Sequence, residues 1–249
     1  MTLLSVDRTL EIIDILVDRG DVGVSELAER LCVAPSTAHR VLDTLGRRMF
    51  VMQDENTRRY QPGPRLTAMS YEIELIARSR RPVEALGRST GMTVHISVLD
   101  GSEVRYVHHW APPRAERAIG NRVGTKMPAH STSAGKALLS ISPREQIRSM
   151  FPRRALPKST PATIGDRQVL LEELHAVRRV GYARNIEESE PGVVGFASPI
   201  SNSRLPVAIA VSAWLTDMRD HGRRSEREKR VVDALLTASG ELQSRYAQG

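Results

Sequence analysis

The chain has 249 residues, 40% of them apolar, a formal charge of +7 and a mean hydropathy of −0.31. Such a length is comfortable for two domains that each bury a core. No apolar run nears the roughly 20 residues that span a bilayer. The lone cysteine, Cys32, excludes a disulfide framework and a thiolate metal cage. The N-terminus lacks the basic-then-apolar order of a signal peptide, so a reducing cytoplasm is the expected location and no membrane partner is expected.

Taken in order, Ser5 can cap a first helix running to about Asp18, with Leu10, Ile13 and Val17 on its apolar face and Gly20 as its stop. Val24–Arg48 reads as two short helices joined by a tight turn at Leu31–Ala34, the first capped by Ser25. In the second, Ala38, Val41, Leu42 and Leu45 form one apolar stripe at the helical period. Its opposite face opens with Ser36, Thr37, His39 and Arg40, all small or polar donors. In a helix-turn-helix this is where base edges and phosphates are met. A plain helical hairpin with a solvated polar face would show the same periodicity. Charge is distributed unevenly: residues 1–33 are acidic in balance and 34–66 basic, the change falling where the second helix starts.

Phe50–Gln53 is strand-like, Asp54–Thr57 a turn, and Arg58–Gln61 a returning strand before Pro62-Gly63-Pro64. Three helices and then a hairpin is the order of a winged helix, whose tip would bring Arg58 and Arg59 to the duplex backbone or minor groove. Arg65–Arg80 is expected as a helix with Leu66, Met69, Ile73 and Ile76 in a stripe, stopped or offset by Pro82. It can pack on a partner chain or on its own domain.

Beyond Pro82 the pattern becomes mixed. Thr93–Leu99 alternates and Asp100-Gly101 signals a hairpin into Glu103–His108. Ser142–Glu145 opens a helix, and Gln168–Val180 is helical with Gly181 as its cap. Gly195–Ile200 and Val207–Ala213 are short apolar strands around a turn at Ser201–Pro206. Ser225–Glu228 is a capping box opening a last helix whose apolar side is Val231, Val232, Leu235, Leu236 and Leu242. Hairpin strands interspersed with helices describe an antiparallel sheet with helices on its faces, an α+β domain.

Catalytic motifs do not survive inspection. Ser133–Lys136 has the outline of a phosphate loop, but His130 stands where its first glycine belongs and Ala137 where Mg²⁺ needs a hydroxyl. His108 and His109 are adjacent and on a strand point to opposite faces, which is poor for joint metal ligation. His95 and His130 read as structural hydrogen-bonders, and Glu187, Glu188 and Glu190 as a solvated acidic rim. No catalytic residue, metal or cofactor is expected.

SVDRTLEIIDIL, STAHRVLDTL, YQPGPRL, RVGTKMPAHSTSAGKALL and GYARNIEESEPGVVGFASPI, in this order, resemble the opening helix, recognition helix, wing-to-linker junction and two effector-domain signatures of the IclR family of bacterial transcription regulators. The resemblance implies a winged helix-turn-helix domain over residues 1–64, a linker helix over 65–81, and a GAF/PAS-like effector-binding and oligomerisation domain over 82–249. It also implies a homodimer, often paired into a tetramer as a dimer of dimers, that binds double-stranded operator DNA and responds to a small-molecule effector. Ser36, Thr37, His39 and Arg40 match the reading helix, and Arg58 and Arg59 the wing. Pro35 stands where a basic residue is frequent, and Cys32 where glycine is usual. If that turn needs a positive φ, the cysteine costs on the order of 1 kcal/mol.

The same resemblance places the effector site at the amides of Ser133 and Ala134, at Asn185 (where an aspartate is frequent), at Gly195 (where a cysteine is frequent), and at Ala210 and Ser212 on the late strand. Met127 and Phe196 are expected as its apolar wall. An organic acid or aromatic metabolite is the expected ligand. The competing reading is a metabolite-binding protein or enzyme whose N-terminal helices serve only dimerisation.

Overall fold

The structure, a computed structural model, describes residues 4–113, 118–201, 205–218 and 224–247. The chain divides into two compact units, Met1–Leu75 and Ile76–Gly249. The division falls inside the expected linker helix.

In the first unit α1 (Leu4–Arg19) ends at Gly20, whose φ of +83° gives the left-handed stop its position required. Its buried residues are Ile12, Ile15 and Leu16, whereas Leu10 and Val17 of the expected face are 55% and 68% exposed. LEIIDIL carries two overlapping apolar stripes, and tertiary packing selects the one whose residues meet the other helices. Next come α2 (Val24–Arg30) and α3 (Pro35–Arg47). Gly23, not Ser25, caps α2, and Ser25 lies within its first turn. Pro35 starts α3, where a missing N–H costs nothing. The turn between them holds Cys32 at φ +50°, in the left-handed region its usual glycine would occupy freely. Strands β1 (Val51–Gln53) and β2 (Tyr60–Pro62) pair antiparallel, Met52 opposite Gln61, and Tyr60 also pairs with Val22 just before α2. Ile12, Leu16, Val22, Leu27, Ala38, Leu42, Leu45, Val51 and Tyr60 form one core. At the wing's close only glycine fits at Gly63, since a Cβ there would run into the Met49 carbonyl oxygen and the Phe50–Val51 backbone.

Helix α4 (Pro64–Thr90) does not stop at Pro82 but runs through it. The proline removes one rung of the ladder, and the packing on either side keeps the helix going.

The second unit is built on an antiparallel sheet. Strands β3 (Thr93–Asp100) and β4 (Glu103–Trp110) form the expected hairpin, with Gly101 at φ +61° in its turn. Then follow β5 (Lys126–Pro128), a single 3₁₀ turn over Ala129–Ser131, α5 (Ser133–Ile141), α6 (Arg144–Met150) and α7 (Arg167–Val180). Strands β6 (Ala183–Ile186), β7 (Val193–Ile200) and β8 (Val207–Trp214) complete the sheet, and α8 (Arg224–Ala247) closes the chain. The strand order is β5-β4-β3-β8-β7-β6. Asp166 caps α7 through the Gln168 N–H, and Gly181 ends it at φ +84°. The middle of the Ser201–Pro206 turn and the Ser225 side chain lie outside the described residues.

Helices α5 and α7 share a core with one face of the sheet, including Val104, Ala137, Leu138, Leu170, Leu174, Ala183, Ala197 and Ala208. Small residues on that face let α5 sit close. Gly135 allows the closest approach, because a Cβ there would clash with the Ala129 backbone. Nearly all of α5 is buried, and Thr132 caps it by accepting from the Gly135 N–H at 3.1 Å.

Candidate DNA-contacting surface and effector cavity

Ser36, Thr37, His39 and Arg40 are all exposed, on the side of α3 opposite buried Ala38, Leu42 and Leu45. The first turn thus presents hydroxyl, imidazole and guanidinium outward, and its aliphatic side anchors it to α1 and α2. Asp43 and Arg47 pair with each other one turn further along, at 2.9 Å.

The wing tip is set by Asp54, whose Oδ1 accepts from the Asn56 and Thr57 N–H groups and from the Thr57 hydroxyl, at 3.0, 2.7 and 2.9 Å. These bonds hold its carboxyl below the usual aspartate range. The two arginines diverge. Arg58, at φ +57°, is exposed and makes no ion pair among the described residues. Arg59 turns back: its Nε donates to Asp21 at 2.8 Å and its Nη2 to Glu26 at 3.0 Å. Arg59 is therefore engaged at the wing root, and Arg58 alone projects from the tip.

In the second unit Ser133 and Ala134 at the start of α5, Met127 on β5, Asn185 on β6 and Ala210 and Ser212 on β8 surround one cavity of about 20 Å³. Gly195 lies between its two serines, a Cβ there being 3.0 Å from the Ser133 hydroxyl and 3.3 Å from that of Ser212. Phe196 does not join them. Successive residues of a strand face opposite sides, so with Gly195 toward the cavity Phe196 points to the other face, where it is fully buried. The side chain of Asn185 is committed to its own turn: Nδ2 donates to Ser189 at 2.7 Å and Oδ1 accepts from the Glu188 N–H at 2.8 Å.

Sequence reasoning does not assign six of the lining residues to the cavity: His95, Tyr106, Arg122, Thr132, Ser189 and Val193, the last four of which lie within the two effector-domain signatures. His95, expected as a structural hydrogen-bonder, is buried with neither ring nitrogen meeting a partner at full hydrogen-bond geometry. Burial drives its pKa down to about 3, the Gly120 backbone offsetting this only in part, so the ring is neutral at physiological pH. Tyr106 meets it edge-on at 5.0 Å and is itself pushed up to about 12 by burial. His130 does hydrogen-bond, through Nε2 to the Pro157 carbonyl at 2.8 Å.

The expected acidic rim is not freely solvated: Glu187 and Glu188 are partly buried, and Glu190, whose side chain is more open, is held in an ion pair. Glu187 accepts from the Gly192 N–H, Glu188 pairs with Lys136 at 2.7 Å, and Glu190 takes both ends of the Arg122 guanidinium at 2.8 and 2.6 Å. Lys136, the lysine of the phosphate-loop lookalike, is buried on α5 between Glu188 and Glu173 and is not among the residues lining the cavity above. Burial raises the Glu188 carboxyl above the usual range, although Lys136 opposes the shift.

A helix-turn-helix with its polar first turn exposed, a wing behind it, and a separate sheet domain enclosing a polar cavity define a transcription regulator with a DNA-binding head and an effector domain. Comparison with known proteins gives the family. Residues 5–55 match the IclR helix-turn-helix domain and residues 67–243 the domain described as bacterial transcriptional regulator IclR C-terminal. The chain belongs to the IclR family. It is 31% identical over 244 residues to the HTH-type transcriptional regulator BhcR of Paracoccus denitrificans, covering 96% of this chain and 85% of that one. A crystal structure of a putative IclR regulator from Silicibacter sp. TM1040 superposes with a TM-score of 0.66 at 27% identity, covering 97% and 96% of the two chains. An IclR homologue from Microbacterium hydrocarbonoxydans, solved in complex with 4-hydroxybenzoate, shares the fold at 21% identity and a TM-score of 0.62, with coverage of 98% and 100%.

Proposed function

We propose that Ser36, Thr37, His39 and Arg40 enter the major groove of a double-stranded operator, that Arg58 at the wing tip meets the phosphate backbone, and that Arg59 serves the operator indirectly by holding the wing to α2. The observation that carries this reading is the first turn of α3, whose polar side chains all face outward while its aliphatic side is sealed into the core. Met127, Ser133, Ala134, Asn185, Gly195, Ala210 and Ser212 border the effector cavity, and a small organic acid or aromatic metabolite is its ligand. The 4-hydroxybenzoate held by the Microbacterium relative is a compound of that kind. Effector binding acts on operator affinity to the extent that the ligand binds the DNA-competent and DNA-incompetent arrangements unequally.

The protein acts as a regulator rather than an enzyme, in the cytoplasm, as a homodimer that can pair into a tetramer. The apolar side of α1 left outward, with Leu10 and Val17 exposed, supports self-association. Among the described residues no helix is long and apolar enough to cross a membrane.

The test is anisotropy titration of duplexes from the DNA flanking the gene, with wild type and Arg40→Ala. Arg40→Ala is expected to weaken operator binding by about tenfold or more with unchanged melting, and wild-type affinity to fall steeply with added salt. Unchanged affinity in the variant would overturn the assignment of α3 as the reading helix.

A further inference from the structure

The side chains lining the effector cavity carry one formal charge, that of Arg122; the rest are hydroxyl, amide, thioether, alkyl and aromatic groups with His95 neutral. No carboxylate lines the space, and Asn185 stands where an acid would have cancelled the charge. The Arg122 counter-ion, Glu190, reaches in from the β6–β7 loop and takes its guanidinium in a two-point grip. The two partners are unequally tied to the protein: the side chain of Arg122 is 19% exposed and that of Glu190 41%. Arg122 also donates to the Met127 sulfur at 2.8 Å, whereas Glu190 can rotate into water.

We propose that Arg122 anchors the carboxylate of the effector, and that Glu190 is a built-in surrogate for it, occupying the anchor until the effector displaces it. This rests on the effector-cavity reading above and names the ligand class and the gate. Exchanging one carboxylate for another keeps Arg122 paired throughout, so the exchange never leaves a half-buried cation alone, and the released Glu190 regains hydration. A neutral ligand gains nothing from Arg122 and must fit beside the intact pair. The remaining polar groups suit an anion's second oxygen. The Tyr106 hydroxyl has only the Met127 sulfur at 3.6 Å as its acceptor among the described residues, and the Ser133 and Ala134 amides open α5 at the positive end of its dipole. A cavity of about 20 Å³ holds no metabolite as it stands, so entry requires enlargement. For an acid, exchange at the Arg122–Glu190 pair, which ties the loop before β5 to the loop before β7, accompanies that enlargement; an amide must enlarge the cavity with the pair intact.

The experiment is calorimetry at pH 7 on full-length wild type, Glu190→Gln, Arg122→Gln and Arg122→Lys. The probes are acetate, pyruvate, benzoate and 4-hydroxybenzoate, each against its primary amide. The acids that bind are expected to lose at least about thirtyfold in affinity as amides. Glu190→Gln is expected to tighten the acids about tenfold and leave the amides unchanged, because the internal competitor is weakened. Arg122→Gln is expected to abolish acid binding with amide binding retained, which shows the cavity still folded, and Arg122→Lys to give an intermediate affinity. Equal binding of acids and amides, or no effect of Glu190→Gln, overturns the anchor and leaves the effector reading intact. Binding of no probe by wild type or Glu190→Gln overturns both.

Discussion

Replacing Lys136 by methionine removes a cation from between two carboxylates while nearly preserving the volume of its aliphatic stem. Its ammonium sits 2.7 Å from Glu188 and 3.0 Å from Glu173, and the residue is 1% exposed. The consequences for the two partners differ. Glu173, with its side chain 36% exposed, can turn to solvent, but that of Glu188 is 12% exposed and its Oε2 already has no partner. Stranding that carboxylate is expected to cost about 3–5 kcal/mol, the range for breaking a buried pair from one side. In a chain of this size that lowers Tm by roughly 10 °C. The second variant, Lys136→Met with Glu188→Gln, removes the stranded charge and is expected to recover about 2 kcal/mol or more. The effect also depends on pH. Glu188 has its folded-state pKa above the ordinary 4.5, so its contribution to stability is fully present below that value and is lost as pH rises through the folded pKa. Lys136 holds this shift in check. In Lys136→Met the folded pKa therefore rises further, and the variant should be closest to wild type under acid conditions and furthest from it at neutral pH. Urea denaturation from pH 5 to 8 measures all three proteins. A single variant within about 1 kcal/mol of wild type at pH 7, or a double variant no better than the single, would refute the assignment of Lys136 as the counter-ion of a buried acid.

The two wing arginines should separate cleanly. Arg58→Ala is expected to reduce operator affinity and flatten the salt dependence by about one ion at constant Tm, whereas Arg59→Ala should lower Tm and be coupled to Glu26→Ala in a double-mutant cycle. The opposite pattern would show that Arg59 is the phosphate contact. Cys32→Gly relieves a left-handed residue at φ +50° and is expected to stabilise by about 0.5 kcal/mol after the glycine entropy penalty, raising Tm slightly; a lower Tm would show that the cysteine is not strained.

What the sequence disclosed follows from how burial leaves its mark. Helix α3 is half buried, so its 3.6-residue stripe was plain and its polar side could be named residue by residue. Helix α5 is short and buried on nearly every side, and its Ser-Ala-Gly-Lys start has the outline of a phosphate loop, so the sequence does not mark it as a helix. In α1 two stripes overlap, and only the neighbouring helices decide between Leu10/Val17 and Ile12/Leu16. Local chemistry marks Pro82 as a stop or an offset, and tertiary packing carries the helix through it. The cavity was half legible. The residues carried over from the family motifs converge, Phe196 excepted, and Arg122 opens the same motif that supplies Met127, but Tyr106 and His95 arrive from β4 and β3, outside the quoted motifs and joined by strand pairing. Phe196 could have been set aside at the outset, because on a strand it cannot face the same way as Gly195. Three glutamates close together in a loop suggest water; the partners of two of them, Lys136 for Glu188 and Arg122 for Glu190, lie 52 and 68 positions away in the chain.

The wing root carries a consequence for the DNA. Tyr60 is laced to Val22 by two backbone bonds of 2.8 Å, and Arg59 forks onto Asp21 and Glu26 at the threshold of α2. Helix pair and hairpin therefore behave as a caliper of fixed gape, with Arg40 on one jaw and Arg58 on the other. A caliper that cannot flex leaves the adjustment to what it grips, so operators should be ranked partly by how cheaply their groove width matches that gape, at base pairs no side chain touches.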